Sequence, residues 1–250
     1  MNNLLLLYGP VWNAVFAALR VVHITGGTFA LILGPLAMAA TRRGRWHHIW
    51  GRAYVAAMGL VGVTAVPLAL RGGNQFLFLI ALFSFYLAWS GWRVMRRAKA
   101  ARQSNAPMPP LHRVAEGIAP VTMISVVLIL VTTGVQALQK GATFGAVWVV
   151  FGSVGGILAL LELRDLLVLP KRNNTRFLAG HIARTLAAYT AALTAFSAVN
   201  LRGVGPLIVW LWPTAVMVPL TLLTIRRHQK SQIAAQLGVS TATSPAQTLL

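Results

Sequence analysis

Seven long apolar stretches, separated by short polar segments, dominate the chain. A helix needs about 20 mostly apolar residues to cross the hydrocarbon core of a bilayer. The pattern therefore predicts an all-α, polytopic transmembrane helix bundle with seven spans, at about residues 18–40, 50–70, 75–95, 117–138, 143–166, 177–199 and 205–225. We expect residues 1–17 to form an amphipathic approach to the first span and residues 1–230 to form a single transmembrane domain. Residues 231–250, rich in Ser, Thr, Ala and Gln, are expected to form a mobile cytoplasmic tail.

Basic side chains concentrate in every second segment between the spans. Of the 22 Lys and Arg residues, 17 follow spans one, three, five and seven, four lie on the other side, and only Arg184 falls inside a span. Because cytoplasmic segments of membrane proteins carry the excess of Lys and Arg, we expect the N-terminus outside and the C-terminus in the cytoplasm, as a multi-pass protein of a bacterial inner membrane. The net charge of +19 is then chiefly a topology signal, with anionic lipids as partners at the cytoplasmic face and no nucleic acid.

The composition excludes several classes of protein. Hydrophobic residues make up 57% of the chain and charged residues only 10%, whereas an ordinary soluble domain carries about 25% charged residues. A soluble enzyme is therefore excluded. Cysteine is absent, which excludes disulfides, thiolate metal sites, iron–sulfur clusters and c-type haem attachment. The sequence motifs of P-loop, Rossmann and zincin enzymes are absent as well.

Histidine and acidic residues gather at the predicted cytoplasmic boundary. His47, His112, Glu116 and His181 all lie there, and polar groups at membrane depth are candidates for function. Imidazole and carboxylate groups predict a divalent metal site formed by these four residues. Alternatively, histidines from facing helices hold a b-type haem, with His23, His47, His112 and His181 as candidate ligands. A proton relay and an ordinary polar interface remain open as further interpretations.

His23 stands apart from the other candidates because it lies in the outer third of the first span. If spans one and six touch, His23 and His181 are roughly 15–20 Å apart along the membrane normal. The two residues could not share one haem iron at that distance. They could serve two separate sites, or His23 could bond to a neighbouring carbonyl group.

Arg184 is expected to form an ion pair inside the membrane. It lies about eight residues into span six, and Glu162 lies at a similar depth in span five. Because a guanidinium group buried in a bilayer needs a partner, we expect an Arg184–Glu162 pair or, as the second choice, an Arg184–Asp165 pair. Such a pair would either fix the register of the two helices or take part in transport.

Small residues predict close helix packing in spans five and six. Gly152 and Gly156 form a G-x-x-x-G pair, and alanines recur every fourth residue from Ala179 to Ala195. Small residues let helix backbones approach closely in lipid. We therefore expect spans five and six to be central and closely packed.

Several residues form a recognisable pattern, namely His23, Gly34–Pro35–Leu36, His47–x–x–x–Gly51–Arg52–x–Tyr54, Phe83–Ser84–x–Tyr86–Leu87, Gly91, His181–Ile182–x–Arg184, Tyr189 and Thr194–Ala195–Phe196. This pattern resembles a known family, the bacterial membrane proteins called domain of unknown function 2306. The resemblance covers most of spans one to three and span six, and it departs at His48, where the family often has arginine. It implies a multi-span helical fold and supplies no activity.

The leading functional hypothesis is a redox or metal-binding membrane protein that holds a b-type haem or a divalent metal through histidines near the cytoplasmic face. The alternatives are a small-solute or proton permease that uses the Arg184–carboxylate pair, and an accessory membrane subunit. Whether the protein is an enzyme is left open by the sequence.

Overall fold

The computed structural model describes residues 2–40, 44–103, 110–167, 174–201 and 203–236. Throughout these ranges the regular structure is α-helical. In chain order the seven helices are α1 (Asn2–Ala39), α2 (Arg45–Arg71), α3 (Gln75–Gln103), α4 (Pro110–Gln139), α5 (Gly145–Leu167), α6 (Asn174–Asn200) and α7 (Pro206–Gln236).

All seven helices are long and apolar enough to cross a membrane, in the part of the chain that the structure describes. The prediction of an all-helical, multi-pass membrane protein is confirmed. Two boundaries differ from the prediction. Residues 2–17 belong to the same continuous helix as the first span, because the apolar pattern of α1 continues through Pro10. The first residues of the predicted tail, 231–236, continue α7, and residues 237–250 lie outside the described residues.

Short connections make successive helices antiparallel, so the odd-numbered helices end where the even-numbered helices begin. We call this end of the bundle the basic end, because Arg45, Arg93, Arg97, Arg164 and Arg176 lie there. Both predicted classes of site residue, the boundary histidines and the acids, belong to this end.

Helix α3 occupies the centre of the bundle and is the most buried of the seven spans. It packs on α2 and α6 and touches α4, while α1–α2, α4–α5 and α6–α7 form three tightly packed pairs. The prediction that spans five and six are the central, closely packed pair is therefore wrong. The glycines of α5 instead face α4: a Cβ added at Gly152 would lie 2.7 Å from Val131, and one at Gly156 would lie 3.1 Å from Val127.

The opposite end of the bundle is held by aromatic rings. Phe76 of α3 contacts Phe144 and Trp148 beside and within α5, and Trp210 of α7, at centroid distances of 4.9–5.3 Å. Tilted and edge-to-face aromatic pairs contribute beyond their buried area. This cluster joins α3, α5 and α7 at the end opposite the basic end.

Candidate functional site

Two histidines from distant parts of the sequence meet at the basic end. His47 lies in the first turn of α2 and His181 about two turns into α6. Their ring centroids are 6.5 Å apart with an interplanar angle of 76°. Both residues are partly buried. Helix α3 brings them together, because it packs on α2 on one side and on α6 on the other.

Each of these rings is oriented by a backbone carbonyl. Nδ1 of His47 lies 2.8 Å from the carbonyl oxygen of Ala37, in the last turn of α1, where carbonyl groups have no helical partner. Nδ1 of His181 lies 2.9 Å from the carbonyl oxygen of Gly91 in α3. A carbonyl only accepts, so Nδ1 donates in both rings and the lone pair of each neutral imidazole is on Nε2. Metal-ligating histidines are held in this same way.

Close packing between α3 and α6 sets the position of His181. A Cβ added at Gly91 would lie 2.9 Å from Cγ2 of Thr185 and 3.3 Å from Cβ of Arg184. Only glycine allows this approach, which brings the Gly91 carbonyl within reach of the imidazole. The hydroxyl of Thr185 donates to the carbonyl oxygen of His181 at 2.7 Å. Both the side chain and the backbone carbonyl of His181 therefore take part in hydrogen bonds.

The other two candidate histidines do not join this pair. Nδ1 of His23 lies 3.0 Å from the hydroxyl oxygen of Thr64 and 3.2 Å from the carbonyl oxygen of Val61. Thr64 is about 25 Å further along α2 than His47, so His23 belongs to the other half of the bundle. His112 is exposed in the first turn of α4.

The four residues predicted as a metal site are not gathered into one cluster. Within the described ranges, no group of three or more His, Asp or Glu side chains is placed to hold a metal ion. Glu116 instead belongs to an ion pair. Its carboxylate is bound by Arg93 through two nitrogens, Nε at 3.0 Å and Nη2, and Arg97 lies 3.8 Å away.

A second group of polar side chains surrounds Glu162, whose side chain is fully buried in α5. Arg97 donates to its Oε1 at 2.6 Å, and Tyr86 donates to its Oε2 at 2.7 Å. Nε of Arg184 lies 3.7 Å from Oε2. The Arg184 side chain is 2% exposed, and its two terminal nitrogens donate to the carbonyl oxygens of Gly180 and Leu158.

Of the two pairings expected for Arg184, the structure places it with Glu162. Asp165 instead pairs with Arg176 at 3.1 Å, and both of those side chains are about one-third exposed. The difference follows from helix geometry. Glu162 and Asp165 are three residues apart, so Asp165 lies nearly one turn closer to the end of α5 and to water.

Basic and acidic groups alternate across four helices. We call the sequence Arg93–Glu116–Arg97–Glu162–Arg184 the charge ladder; it joins α3, α4, α5 and α6. Three guanidinium groups face two carboxylates, so the ladder carries one net positive charge. Removing one member of a buried ion pair leaves an uncompensated charge and is strongly destabilising. The ladder therefore fixes how these four helices pack.

Arg97 and Tyr86 were not predicted as site residues. Hydropathy ended the third span near residue 95, so Arg97 counted as a loop charge. The helix continues to Gln103, and Tyr86, Arg93 and Arg97 lie at positions i, i+7 and i+11, which share one face of a helix. That spacing was visible in the sequence and is the signal that points to them.

Comparison with known proteins adds no relative. No protein-family model matches the chain, and no curated protein or solved structure matches it either. The resemblance to domain of unknown function 2306 therefore stays a prediction.

Proposed function

We propose that this chain is a metal-binding membrane protein of a bacterial inner membrane, with a transition-metal ion held between His47 and His181. The proposal depends on one observation: two imidazoles from α2 and α6 lie 6.5 Å apart, and a carbonyl group holds the Nδ1 of each ring. The Nε2 lone pair of each ring is then left to bind a metal ion. Redox chemistry is open to such a centre when the metal is copper or iron.

The spacing of the rings suits a metal bridge. With a metal–nitrogen distance of about 2.0 Å, two imidazoles on opposite sides of one metal ion have centroids roughly 6 Å apart. Imidazole is a ligand for zinc, copper, iron and nickel. Haem iron also takes two axial histidines, so a haem and a bare ion are the two forms of the proposed centre. They differ sharply in their absorption spectra.

Metal uptake by single-histidine variants tests this proposal. We expect detergent-purified protein, stripped with chelator and titrated with Cu²⁺, to bind about one ion per chain with both histidines present, because two anchored imidazoles share the ion. His47→Gln and His181→Gln should each weaken binding at least tenfold, within the 10- to 100-fold range seen for such sites. Elemental analysis after gel filtration and a competition titration provide the measurement.

His112 supplies the matched control, because it is an exposed histidine near the same end of the bundle, whereas the ring of His48 lies 5.8 Å from that of His47. His112→Gln should bind copper as the unchanged protein does. Equal binding by all three variants would refute the proposal. An oxidised-minus-reduced absorption spectrum of protein made in haem-replete cells separates the two forms, since only haem gives a Soret band.

A proton or small-solute permease is the second candidate, and the burial of Glu162 with Arg97 and Arg184 favours it. Intramembrane ion pairs mark transport pathways in many membrane proteins. If the charge ladder lines a proton pathway, protein reconstituted in liposomes should dissipate a pH gradient reported by an enclosed pH-sensitive dye. Arg184→Gln should abolish that flux, and Arg176→Gln, in the exposed pair, should preserve it. No flux in the unchanged protein would eliminate a proton permease.

The proposed orientation, with the N-terminus outside and the basic end in the cytoplasm, is supported by the distribution of Lys and Arg. Anionic lipids are the proposed partners at this end. An open groove of about 340 Å³ lies there between α4 and α5, and its apolar walls suit part of an acyl chain. Its lining residues are Arg113, Val114, Gly117, Leu163, Leu166 and Leu167.

A further inference from the structure

A row of aromatic rings follows one face of α3. Phe85, Trp89 and Trp92 lie at positions i, i+4 and i+7, which share one face of a helix. The rings of Phe85 and Trp89 are stacked at a centroid distance of 6.3 Å and an interplanar angle of 12°. The rings of Trp89 and Trp92 have centroids 5.0 Å apart. We call these three residues the aromatic row.

The aromatic row ends at a cation. Arg96 lies about one turn beyond Trp92 on the same face, and its Cζ lies 4.8 Å from the centroid of the Trp92 ring. A guanidinium group over a tryptophan ring is attracted by the quadrupole of the ring. From Phe85 to Arg96 the helix advances roughly 16 Å towards the basic end.

The aromatic row is exposed, although α3 is the most buried of the spans. Phe85 is 38% exposed and Trp89 is 39% exposed. Helix α2 borders the row on one side, where a Cβ added at Gly62 would lie 2.9 Å from Cβ of Phe85. Helix α4 borders it on the other side, where Arg93 pairs with Glu116. Among the described residues α2 and α4 do not form a packed pair with each other, so the row faces an open space between them.

No acidic side chain is left to neutralise Arg96. The chain has only three acidic residues. In the structure each of them is paired with an arginine other than Arg96, and the pairs are Glu116–Arg93, Glu162–Arg97 and Asp165–Arg176. Arg96 is exposed beside the open space. The anion that neutralises it at this place therefore comes from outside the chain.

We propose that an anionic phospholipid binds between α2 and α4, with an acyl chain along the aromatic row and its phosphate at Arg96. The length of the row suits an extended acyl chain, and its rings supply the apolar surface. Guanidinium groups bind phosphate through paired N–H donors, and Arg96 lies at the end of the bundle where headgroups are expected. This site rests on the lipid partners proposed for the basic end and is independent of the histidine pair.

Quenching of tryptophan fluorescence by brominated lipids tests this site. Bromine on an acyl chain quenches a tryptophan only at short range, so the quenching reports which lipid lies beside Trp89 and Trp92. Full-length protein is reconstituted in mixed bilayers in which either phosphatidylglycerol or phosphatidylcholine carries the bromine. We expect phosphatidylglycerol to bind about fivefold more strongly than phosphatidylcholine, which is the contribution of one arginine near a membrane surface.

Arg96→Gln removes the cation and keeps the aromatic row. We expect this variant to lose the fivefold preference, so that the two brominated lipids quench alike. Arg164→Gln is the matched control, because Arg164 is an exposed arginine at the same end of the bundle, on α5. It removes the same charge from the protein and should keep the preference.

A second comparison identifies the quenched rings. Trp89→Phe combined with Trp92→Phe should remove the excess quenching by phosphatidylglycerol. Trp46→Phe combined with Trp50→Phe is its control, because these two rings form another stacked pair at the same end, with centroids 5.6 Å apart. The control variant should retain the excess.

The two levels of the proposal fail in different ways. If the unchanged protein shows no preference for phosphatidylglycerol, the lipid partners proposed for the basic end and the site on α3 both fall. If the preference persists in Arg96→Gln or in the Trp89 and Trp92 double variant, only the site on α3 falls. The site also falls if Arg164→Gln removes as much of the preference as Arg96→Gln does.

Discussion

Replacing Glu162 with glutamine is expected to cause a large loss of stability, about 3–5 kcal/mol, as when one partner of a buried ion pair is removed. Glutamine keeps the shape of the side chain and still accepts a hydrogen bond from Tyr86. It removes the negative charge that Arg97 and Arg184 share, and both of those guanidinium groups are buried. The temperature at which detergent-purified protein loses its monodisperse peak in gel filtration measures the effect.

Asp165→Asn is the matched control for this experiment, because Asp165 is an acid of the same helix paired with one arginine. Its side chain is 32% exposed and that of Arg176 is 36% exposed. An exposed ion pair contributes about 0–1 kcal/mol, so the midpoint should fall only slightly. Equal shifts for Glu162→Gln and Asp165→Asn would contradict the role of the charge ladder.

A second substitution in the ladder should cost less stability in the Glu162→Gln variant than in the unchanged protein. The ladder already has one more guanidinium group than carboxylates, and Glu162→Gln raises the excess. Adding Arg184→Gln to that variant removes one of the two stranded charges. We therefore expect the double variant to be less destabilised than the sum of the two single variants, because residues of one network do not act additively.

Gly91→Ala should cause the second large loss of stability, because a methyl group added at this position would push α3 and α6 apart. The added Cβ would lie 2.9 Å from Cγ2 of Thr185 and 3.3 Å from the backbone nitrogen of the same residue. Overpacking of this kind costs about 1–3 kcal/mol. The displacement also moves His181 from its carbonyl anchor, so copper affinity should fall together with the unfolding temperature.

A compensating change identifies the cause of the Gly91→Ala effect. Thr185→Ser removes the methyl group that the new Cβ meets and keeps the hydroxyl that bonds to His181. We expect Gly91→Ala combined with Thr185→Ser to recover part of the stability and of the copper affinity. The same double-variant comparison at Gly117→Ala, where an added Cβ meets nothing within 4 Å, should show no coupling with Thr185→Ser. If Thr185→Ser couples equally strongly to both glycine substitutions, the Gly91→Ala effect does not come from the local contact with Thr185.

Hydropathy predicts the helices of this chain well and their neighbours poorly. Each apolar stretch is long enough to cross a membrane, and that requirement depends only on local sequence. The partner of a helix depends on which side chains interdigitate, and hydropathy carries no such information. The glycines of α5 indicated close packing correctly, but a G-x-x-x-G pair does not specify the partner, which is α4 and not α6. The hydropathy pattern did not indicate that α3 is the central helix.

The candidate site was visible in the sequence only in part. Polar groups at membrane depth stand out, and His47, His181, Arg184 and Glu162 were selected for that reason. The carbonyl groups that orient both imidazoles were not predictable, because they belong to residues without polar side chains, Ala37 and Gly91. Contacts of this kind depend on the tertiary packing of the helices.

X-ray absorption at the edge of the bound metal tests the central claim most directly, because it counts the imidazole groups on the ion. We predict that the copper-loaded protein shows scattering from two imidazole rings per ion, with nitrogen at about 2.0 Å. His47→Gln and His181→Gln should each reduce the count by one. A spectrum without imidazole scattering, or one that both substitutions leave unchanged, would contradict a metal site between α2 and α6.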